Sequence, residues 1–390
     1  MTGVGDSKLS DLDPVQMAVD LVRKPSVTPE DHGALDLVEG ILQSMGFECQ
    51  RLPFGEEGED RIDNLYARLG TKSPNICFAG HTDVVPTGPV DNWSAPPFEG
   101  LIKDGWLMGR GAADMKGAIA AFLSACSAFV AENNGPGRGS ISLLITGDEE
   151  GLAINGTVKM VEWLKNKGEV LDGCIVGEPT NPDALGEMIK TGRRGSVNCI
   201  LTVLGHQGHV AYPERAHNPN PDFLKLLSCL PQGPLDEGNE NFPPTNLEIT
   251  CLESGTGAFN VIPGKAAAKF NIRFSDDFKP ERLEALIRGK LDGAGIAYDL
   301  DLYFKGVSFF CPPGVLAKAL SHACEKFLGK TPEFSTTGGT SDARYIQELC
   351  PVAEFGLISK TIHAIDEKAK TDDILALSQI YRLTLEELLG

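Results

Sequence analysis

The sequence predicts an α/β protein built on a mixed, mainly parallel sheet flanked by helices and carrying an inserted α+β domain. Three observations predict it. Up to about Arg194, short unbroken apolar runs alternate with segments of helical period. Between about Gly195 and Gly306 the pattern changes to strands with one apolar and one polar face, and near Pro313 the first pattern resumes. Strands separated by helices favour parallel pairing, whereas one-faced alternation marks an antiparallel sheet open on one side. At 390 residues the chain exceeds what one core usually supports. The expected division is a larger domain in two parts, 1–194 and 309–390, interrupted by an insert over 195–308.

Asp13-Pro14 is a helix start, with an acceptor at the N-cap and a proline at the first helical position. Val15, Ala18, Val19 and Val22 follow at helical spacing, and a second helix is expected over Ala34 to Met45, stopped by Gly46. Asn75 to Ala79 reads as a buried strand, Lys116 to Glu132 as a helix, and Ser140 to Thr146 as a second buried strand. Val158 to Lys167 is helical and Leu171 to Val176 strand-like. In the insert, Ser196 to Leu204 and Lys265 to Phe274 alternate, the latter putting Ala266, Ala268, Phe270, Ile272 and Phe274 on one face. Helices are expected there at Asp222 to Leu230 and Pro280 to Leu291, and after the insert at Val315 to Phe327 and from Asp342.

The formal net charge of −19 excludes a nucleic-acid partner, because no basic run offsets the repulsion. Ten cysteines without a C-x-x-C pair read as reduced core residues in a cytoplasmic protein. The amino terminus has no basic-then-apolar signal pattern. The longest apolar stretch, Ala118 to Ala131, is rich in Ala and Ser and too short to span a bilayer, so no membrane is expected.

Chemistry is concentrated where apolar runs stop at glycine. Gly80-His81-Thr82-Asp83 follows the first buried strand, Asp148-Glu149-Glu150-Gly151 the second, and Gly177-Glu178 the third. In α/β sheets such strand ends are where ligands gather. Residues i and i+2 of an extended strand end point the same way, so Asp83 is placed to accept a ring N–H of His81 while the other nitrogen binds metal. Asp114, after a glycine-interrupted loop, either caps the following helix or bridges metals. Three successive carboxylates at 148–150 repel one another unless cations compensate, and two of them can divide ligation and base catalysis. Glu178 is a further ligand or a solvated loop acid, and His363 a ligand or a packed histidine. Imidazoles and carboxylates without thiolates are the donor set of a hydrolytic metal site.

Taken together, GHTDVVPTG (80–88), WSAPPFEG (93–100), GRGAADMKG (109–117), TGDEEG (146–151), VGEPT (176–180), GRRGS (192–196), GHVAYP (208–213), NVIP (260–263) and GGTSDAR (338–344) resemble the zinc aminoacylase and carboxypeptidase family of dinuclear amidohydrolases over nearly the whole chain. The resemblance implies a zinc-peptidase-like catalytic domain with an inserted dimerisation domain. It implies two Zn²⁺ per subunit, with Co²⁺ able to substitute: one held by His81, Asp114 and Glu178, the other by Asp114, Glu150 and His363. Asp83 would orient His81, and Glu149 would be the general base and acid. In a homodimer, His209 and Asn260 would complete the partner's site.

The activity implied is hydrolysis of N-succinyl-L,L-2,6-diaminopimelate to succinate and the free diamino acid, a step of lysine and diaminopimelate biosynthesis. Guanidinium groups suit carboxylate capture, so Arg193, Arg194, Ser196 and Thr340 are expected at the succinyl end and Arg273 at the diaminopimelate end. Tyr212, Gly339 and Ser359 complete the expected substrate contacts. Many relatives carry Asn-Ala-Thr-x-His before the last ligand. Here Ser359-Lys360-Thr361-Ile362-His363 stands instead, which alters the donors offered to the acyl group. The rivals are a related deacylase (acetylornithine deacetylase or aminoacylase) and a non-catalytic metal-binding protein.

Overall fold

The computed structural model describes residues 12–390; most of the amino-terminal stretch inspected for a targeting signal, residues 1–11, lies outside the described residues. The chain divides into two compact units. The larger comprises the chain through Thr191, Cys311–Ser335 and Ser341–Gly390, and the smaller comprises Gly192–Phe310 with Thr336–Thr340.

An eight-stranded sheet forms the centre of the larger unit. From edge to edge it runs Glu48–Arg51, Leu65–Leu69, Ser140–Thr146, Asn75–His81, Gly173–Val176, Val352–Glu354, Met188–Lys190 and Glu333–Ser335. The three strands expected from their apolar runs lie side by side in its middle, all parallel. Asn75–His81 and Ser140–Thr146 are buried along their whole length, which is why they read as unbroken apolar runs and not as alternation. Antiparallel strands such as Glu48–Arg51 close one edge. That strand, ECQR, has no apolar signal and is not recognisable from sequence.

Helices Pro14–Val22, Gly117–Asn133 and Thr371–Leu389 pack against this sheet in one hydrophobic core. Asp13 caps the first, accepting from Val15 N at 2.9 Å. Phe122 stacks on Phe78 of the central strand at 4.2 Å, and Tyr381 meets both rings edge-on. The helical segment Ala112–Asn133 is in fact long and apolar enough to cross a membrane, contrary to the expectation drawn from Ala118 to Ala131. Its most apolar 18-residue window is 83% buried inside the protein, so its composition is that of a central core helix.

The smaller unit is a four-stranded antiparallel sheet in the order Asn246–Ser254, Lys265–Phe274, Gly195–Leu204, Asp299–Gly306. Helices Asn220–Cys229 and Pro280–Asp292 share its core with Val197, Cys199, Leu201, Phe270, Ile272 and Phe274. The boundaries differ from 195–308. Phe309 and Phe310 pair with Arg193 and Gly192, extending the unit at both ends. Thr336–Thr340 joins it because Arg193 Nη1 donates to Gly339 O at 3.1 Å and Thr336 Oγ1 to Asn241 O. All ten cysteines are free.

Candidate metal centre

The three parallel central strands end at the same edge, and each delivers a functional side chain there. His81 is the last residue of its strand, Glu149 and Glu150 follow Thr146, and Glu178 follows Val176. Asp114 comes from the turn before the core helix, where the backbone departs from helical angles (φ −123°, ψ 95°). The loop after Val352–Glu354 carries His363. All seven expected residues, Asp83 included, belong to the larger unit.

Their nitrogens and oxygens converge. His81 Nε2 lies 3.3 Å from Asp114 Oδ1 and 3.9 Å from Glu178 Oε1. His363 Nε2 lies 3.2 Å from Asp114 Oδ2 and 2.8 Å from Glu150 Oε1. One carboxylate of Asp114 thus faces a histidine on each side. Ligand atoms of His81, Asp114 and Glu150 lie within 4.8 Å of one another, as do those of His81, Glu149 and Glu178.

Hydrogen bonding decides which nitrogen of His81 is available. Nδ1 lies 2.9 Å from the backbone oxygen of Asp83. A carbonyl can only accept, so Nδ1 carries a proton and Nε2 is the nitrogen turned toward the carboxylates. Nε2 lies 3.3 Å from Asp114 Oδ1. A second ring proton or a metal ion satisfies acceptors arranged this way, and imidazoles among converging carboxylates are a donor set that fits divalent metal ions. The electrostatics agree. Burial disfavours a charged His81 ring, yet Asp114, Asp83 and Glu178 outweigh it and hold its pKa well above the imidazole range. Hydrogen bonds to Asp114 and Glu150 push His363 up to about 10. Burial acts upward on Asp114, but His363 and His81 hold it well below the carboxylate range.

Asp83 requires a correction. Its carboxylate was expected to take the His81 ring N–H, but Oδ1 is 3.7 Å from Nδ1 and the backbone carbonyl makes that bond instead. The carboxylate accepts Thr28 Oγ1 at 2.7 Å and the backbone N–H groups of Glu149 at 3.3 Å and Glu150 at 3.0 Å. Asp148, the first of the three successive acids, turns away and accepts the N–H groups of Ala153, Ile154 and Asn155. Glu149 is left with its pKa raised by burial, Glu178 and Asp342, against a lowering by His81. Sequence reasoning missed Arg110 and Glu367, a buried ion pair beneath the Asp114 turn. Glu367 lies in no motif and 257 residues from Arg110, so nothing local announced it.

Peptidase family M20/M25/M40 matches residues 77–387. The chain belongs to this family. Among its relatives, a succinyl-diaminopimelate desuccinylase of Rhodospirillum centenum is 55% identical over 96% of this chain and 97% of that one. Another of the same name from Xanthobacter autotrophicus is 53% identical over 94% and 96%. The M20 family metallo-carboxypeptidase Sso-CP2 from Sulfolobus solfataricus shares the fold, with a TM-score of 0.80 at 19% identity, covering 97% of this chain and 99% of that one. The M20 fold is thus the α/β architecture expected from sequence.

The remaining expected residues of this M20 chain, Ser359 apart, lie in the smaller unit. Arg194 Nη1 donates to Asn246 Oδ1 at 2.7 Å, and its Nε is buried without a partner. Arg273, expected at the opposite end of a substrate, stands in register with Ser196 and has Nη1 buried without a partner. Burial and the neighbouring charges of Arg194 and Arg193 lower its pKa. The three guanidiniums therefore form one cationic cluster. Ser196 Oγ accepts from Asn271 at 3.0 Å, Gly339 O from Arg193, and Thr340 is half-buried. His209 is exposed, and Ala211 N donates to its Nδ1 at 3.0 Å, leaving the ring proton on Nε2. Tyr212 and Asn260 are exposed nearby in sequence, Asn260 O accepting from Val210 N. In the larger unit, Ser359 N and Oγ both donate to Asn181 O, at 2.8 and 3.3 Å.

Proposed function

We propose that this protein is a metal-dependent amide hydrolase converting N-succinyl-L,L-2,6-diaminopimelate and water to succinate and L,L-2,6-diaminopimelate. The observation that carries the reading is the coexistence of a carboxylate-rich two-histidine centre with an arginine cluster in which Arg194 Nε and Arg273 Nη1 are buried without partners. The first suits amide hydrolysis; the second suits a substrate bearing several carboxylates. The names and near-complete coverage of the two desuccinylase relatives point the same way.

In this reading His81, Asp114 and Glu178 hold one Zn²⁺, and Asp114, Glu150 and His363 the other, with Co²⁺ able to substitute. When bound, the two ions polarise the amide carbonyl and acidify a water molecule. Glu149 takes that water's proton on its carboxylate and returns it to the leaving nitrogen. Asp83 fixes the backbone of Glu149 and Glu150, so base and ligand are presented together.

The smaller unit is assigned two roles. It mediates homodimerisation, and Arg193, Arg194 and Arg273, with Ser196 and Thr340, recognise substrate carboxylates. His209 donates Nε2–H to the tetrahedral oxyanion in the partner's site, with Asn260 as a second donor. The free cysteines accord with a reducing, cytoplasmic setting.

The deciding experiment is a desuccinylase assay with and without chelator, run beside acetylornithine and N-acetyl amino acids. Faster cleavage of acetylornithine than of the succinyl compound replaces the substrate assignment with a related deacylase. Fewer than one zinc ion per chain, with no activity restored by Zn²⁺ or Co²⁺, leaves the non-catalytic reading standing.

A further inference from the structure

The turn that carries Asp114 and the loop that carries His363 are joined by one buried ion pair. Arg110 Nη1 lies 2.7 Å from Glu367 Oε2, with side-chain exposures of 2% and 0%. Glu367 directs its other lone pairs to the Asp114 turn: it accepts Gly111 N at 3.0 Å, Ala113 N at 3.0 Å and Asp114 N at 3.1 Å. Arg110 directs its other N–H groups to the opposite side, donating to Ala364 O at 3.2 Å, His363 O at 3.4 Å and Pro86 O at 3.3 Å. Trp93 lies under the guanidinium at 5.3 Å.

The His363 loop needs such a fastening. His363 and Asp366 both sit in the left-handed region, with φ of 58° and 59°, which non-glycine residues populate sparsely, His and Asp more readily than most. Such a backbone persists only where its surroundings hold it. A second tie lies further along the loop, where Asp366 accepts Ser94 N and Ser94 Oγ, each at 2.7 Å. A buried ion pair is a weak device for stability, since apolar side chains of equal volume do as well. Its advantage is direction, and here five of the pair's hydrogen bonds run to the backbone of Gly111, Ala113, Asp114, His363 and Ala364, at or next to two of the candidate ligands.

We propose that Arg110 and Glu367 are positioning residues of that centre. Arg110 sets where His363 stands relative to Asp114 and Glu150, and so governs the affinity of the metal position those three form. Glu367 holds the backbone of Asp114, which the reading above shares between both positions, and so governs the two together. The inference rests on that assignment of ligands but not on the substrate.

The test is titration of metal-free protein with Co²⁺, followed by calorimetry and the visible spectrum of the bound ion. The parent is expected to take up two equivalents. Arg110→Lys, which keeps the charge and loses the planar fork, is expected to bind the first equivalent within about 3-fold of parent. The second should weaken about 10- to 100-fold with an altered spectrum, the range seen for outer-shell partners of metal ligands. Glu367→Gln is expected to weaken both equivalents. Parent-like titration of Arg110→Lys overturns the proposal, and so does equal weakening of both equivalents in that variant, which marks general structural support. If Arg110→Lys does not fold, Asp366→Asn loosens the same loop without touching the buried pair; a several-fold loss confined to the second equivalent then supports the proposal, and parent-like binding overturns it. A parent that binds only one equivalent overturns the two-position reading itself, independently of any desuccinylase assay.

Discussion

Asp83 Oδ2 accepts the backbone N–H of Glu150 at 3.0 Å, while the backbone oxygen of the same aspartate takes the His81 ring proton at 2.9 Å. One residue at a strand end thus orients His81 through its main chain and the Glu149-Glu150 backbone through its side chain, the residues that the proposed function makes ligand, base and ligand. Asp83→Ala is expected to leave the His81 ring oriented but free the Glu149-Glu150 backbone. Turnover should fall about 10- to 100-fold, the usual cost of losing an outer partner of a metal site, while His81 still binds metal. Steady-state rates beside metal analysis check this, and full activity would show the side chain to be dispensable.

Glu149 separates base catalysis from ligation. Glu149→Ala is expected to lower kcat by at least about 100-fold, the scale of general acid–base assistance, while metal content stays near that of the parent. Loss of metal in the variant would make Glu149 a ligand.

Subunit exchange tests His209. Its Nε2–H is free to donate because Nδ1 already accepts from Ala211 N. His209→Ala is expected to lower kcat by about 100-fold or more with a smaller change in KM, as for other oxyanion donors. Mixing it with inactive Glu149→Ala after subunit dissociation should restore turnover, since a mixed dimer then contains one intact site. No restoration means that His209 does not act across subunits.

Gly356 packs on the segment that presents Glu178. A Cβ there would lie 2.3 Å from Gly177 O and 2.5 Å from Glu178 O, a backbone clash that no rotamer relieves. Gly356→Ala is expected to displace Glu178, weaken metal binding and cost about 1–3 kcal/mol of stability, as overpacking does. Thermal melts of the metal-free protein read the second effect separately from the first.

In the smaller unit, Asp236 predicts an acid-dependent loss of stability. Burial acts upward on its carboxyl, but Thr245 Oγ1 at 2.6 Å, Thr245 N at 2.8 Å and Gly238 N at 2.9 Å hold it below the usual range. A carboxyl with a folded pKa below its unfolded value stabilises fully above about pH 4 and loses that contribution as pH falls through the folded value. Asp236→Asn should therefore cost about 1 kcal/mol near pH 7, modest because solvent screens the group, and less near pH 3. Urea midpoints at the two pH values check it, and a penalty that does not shrink on acidification counts against the assignment.

Apolar periodicity sufficed for the central strands and for the candidate ligands His81, Glu150 and Glu178, because unbroken runs ending near glycine mark buried parallel strands and these three stand at those ends; Asp114 and His363 lie on a turn and a loop that periodicity does not mark. It also separated the buried from the open face of Lys265–Phe274. It did not reveal Glu48–Arg51 or Met188–Lys190, whose short mixed sequences gain strand geometry from neighbours. The long helix Thr371–Leu389 was legible in principle from Ile374, Leu377, Ile380, Tyr381, Leu385 and Leu388, all buried.

Residue identity and order along this chain were enough to single out His81, Asp114, Glu150, Glu178 and His363 as candidate donors, with the resemblance to a metal-hydrolase family assigning their roles, and the fold brings their side chains together. They could not say which atom of Asp83 serves His81, that Asp148 only ties its own loop, or that Arg110 and Glu367 join the Asp114 and His363 segments. Those are contacts between residues up to 257 positions apart or between atoms of one residue. Hydrogen-bond direction and distance settle them, and neither exists until the chain has folded.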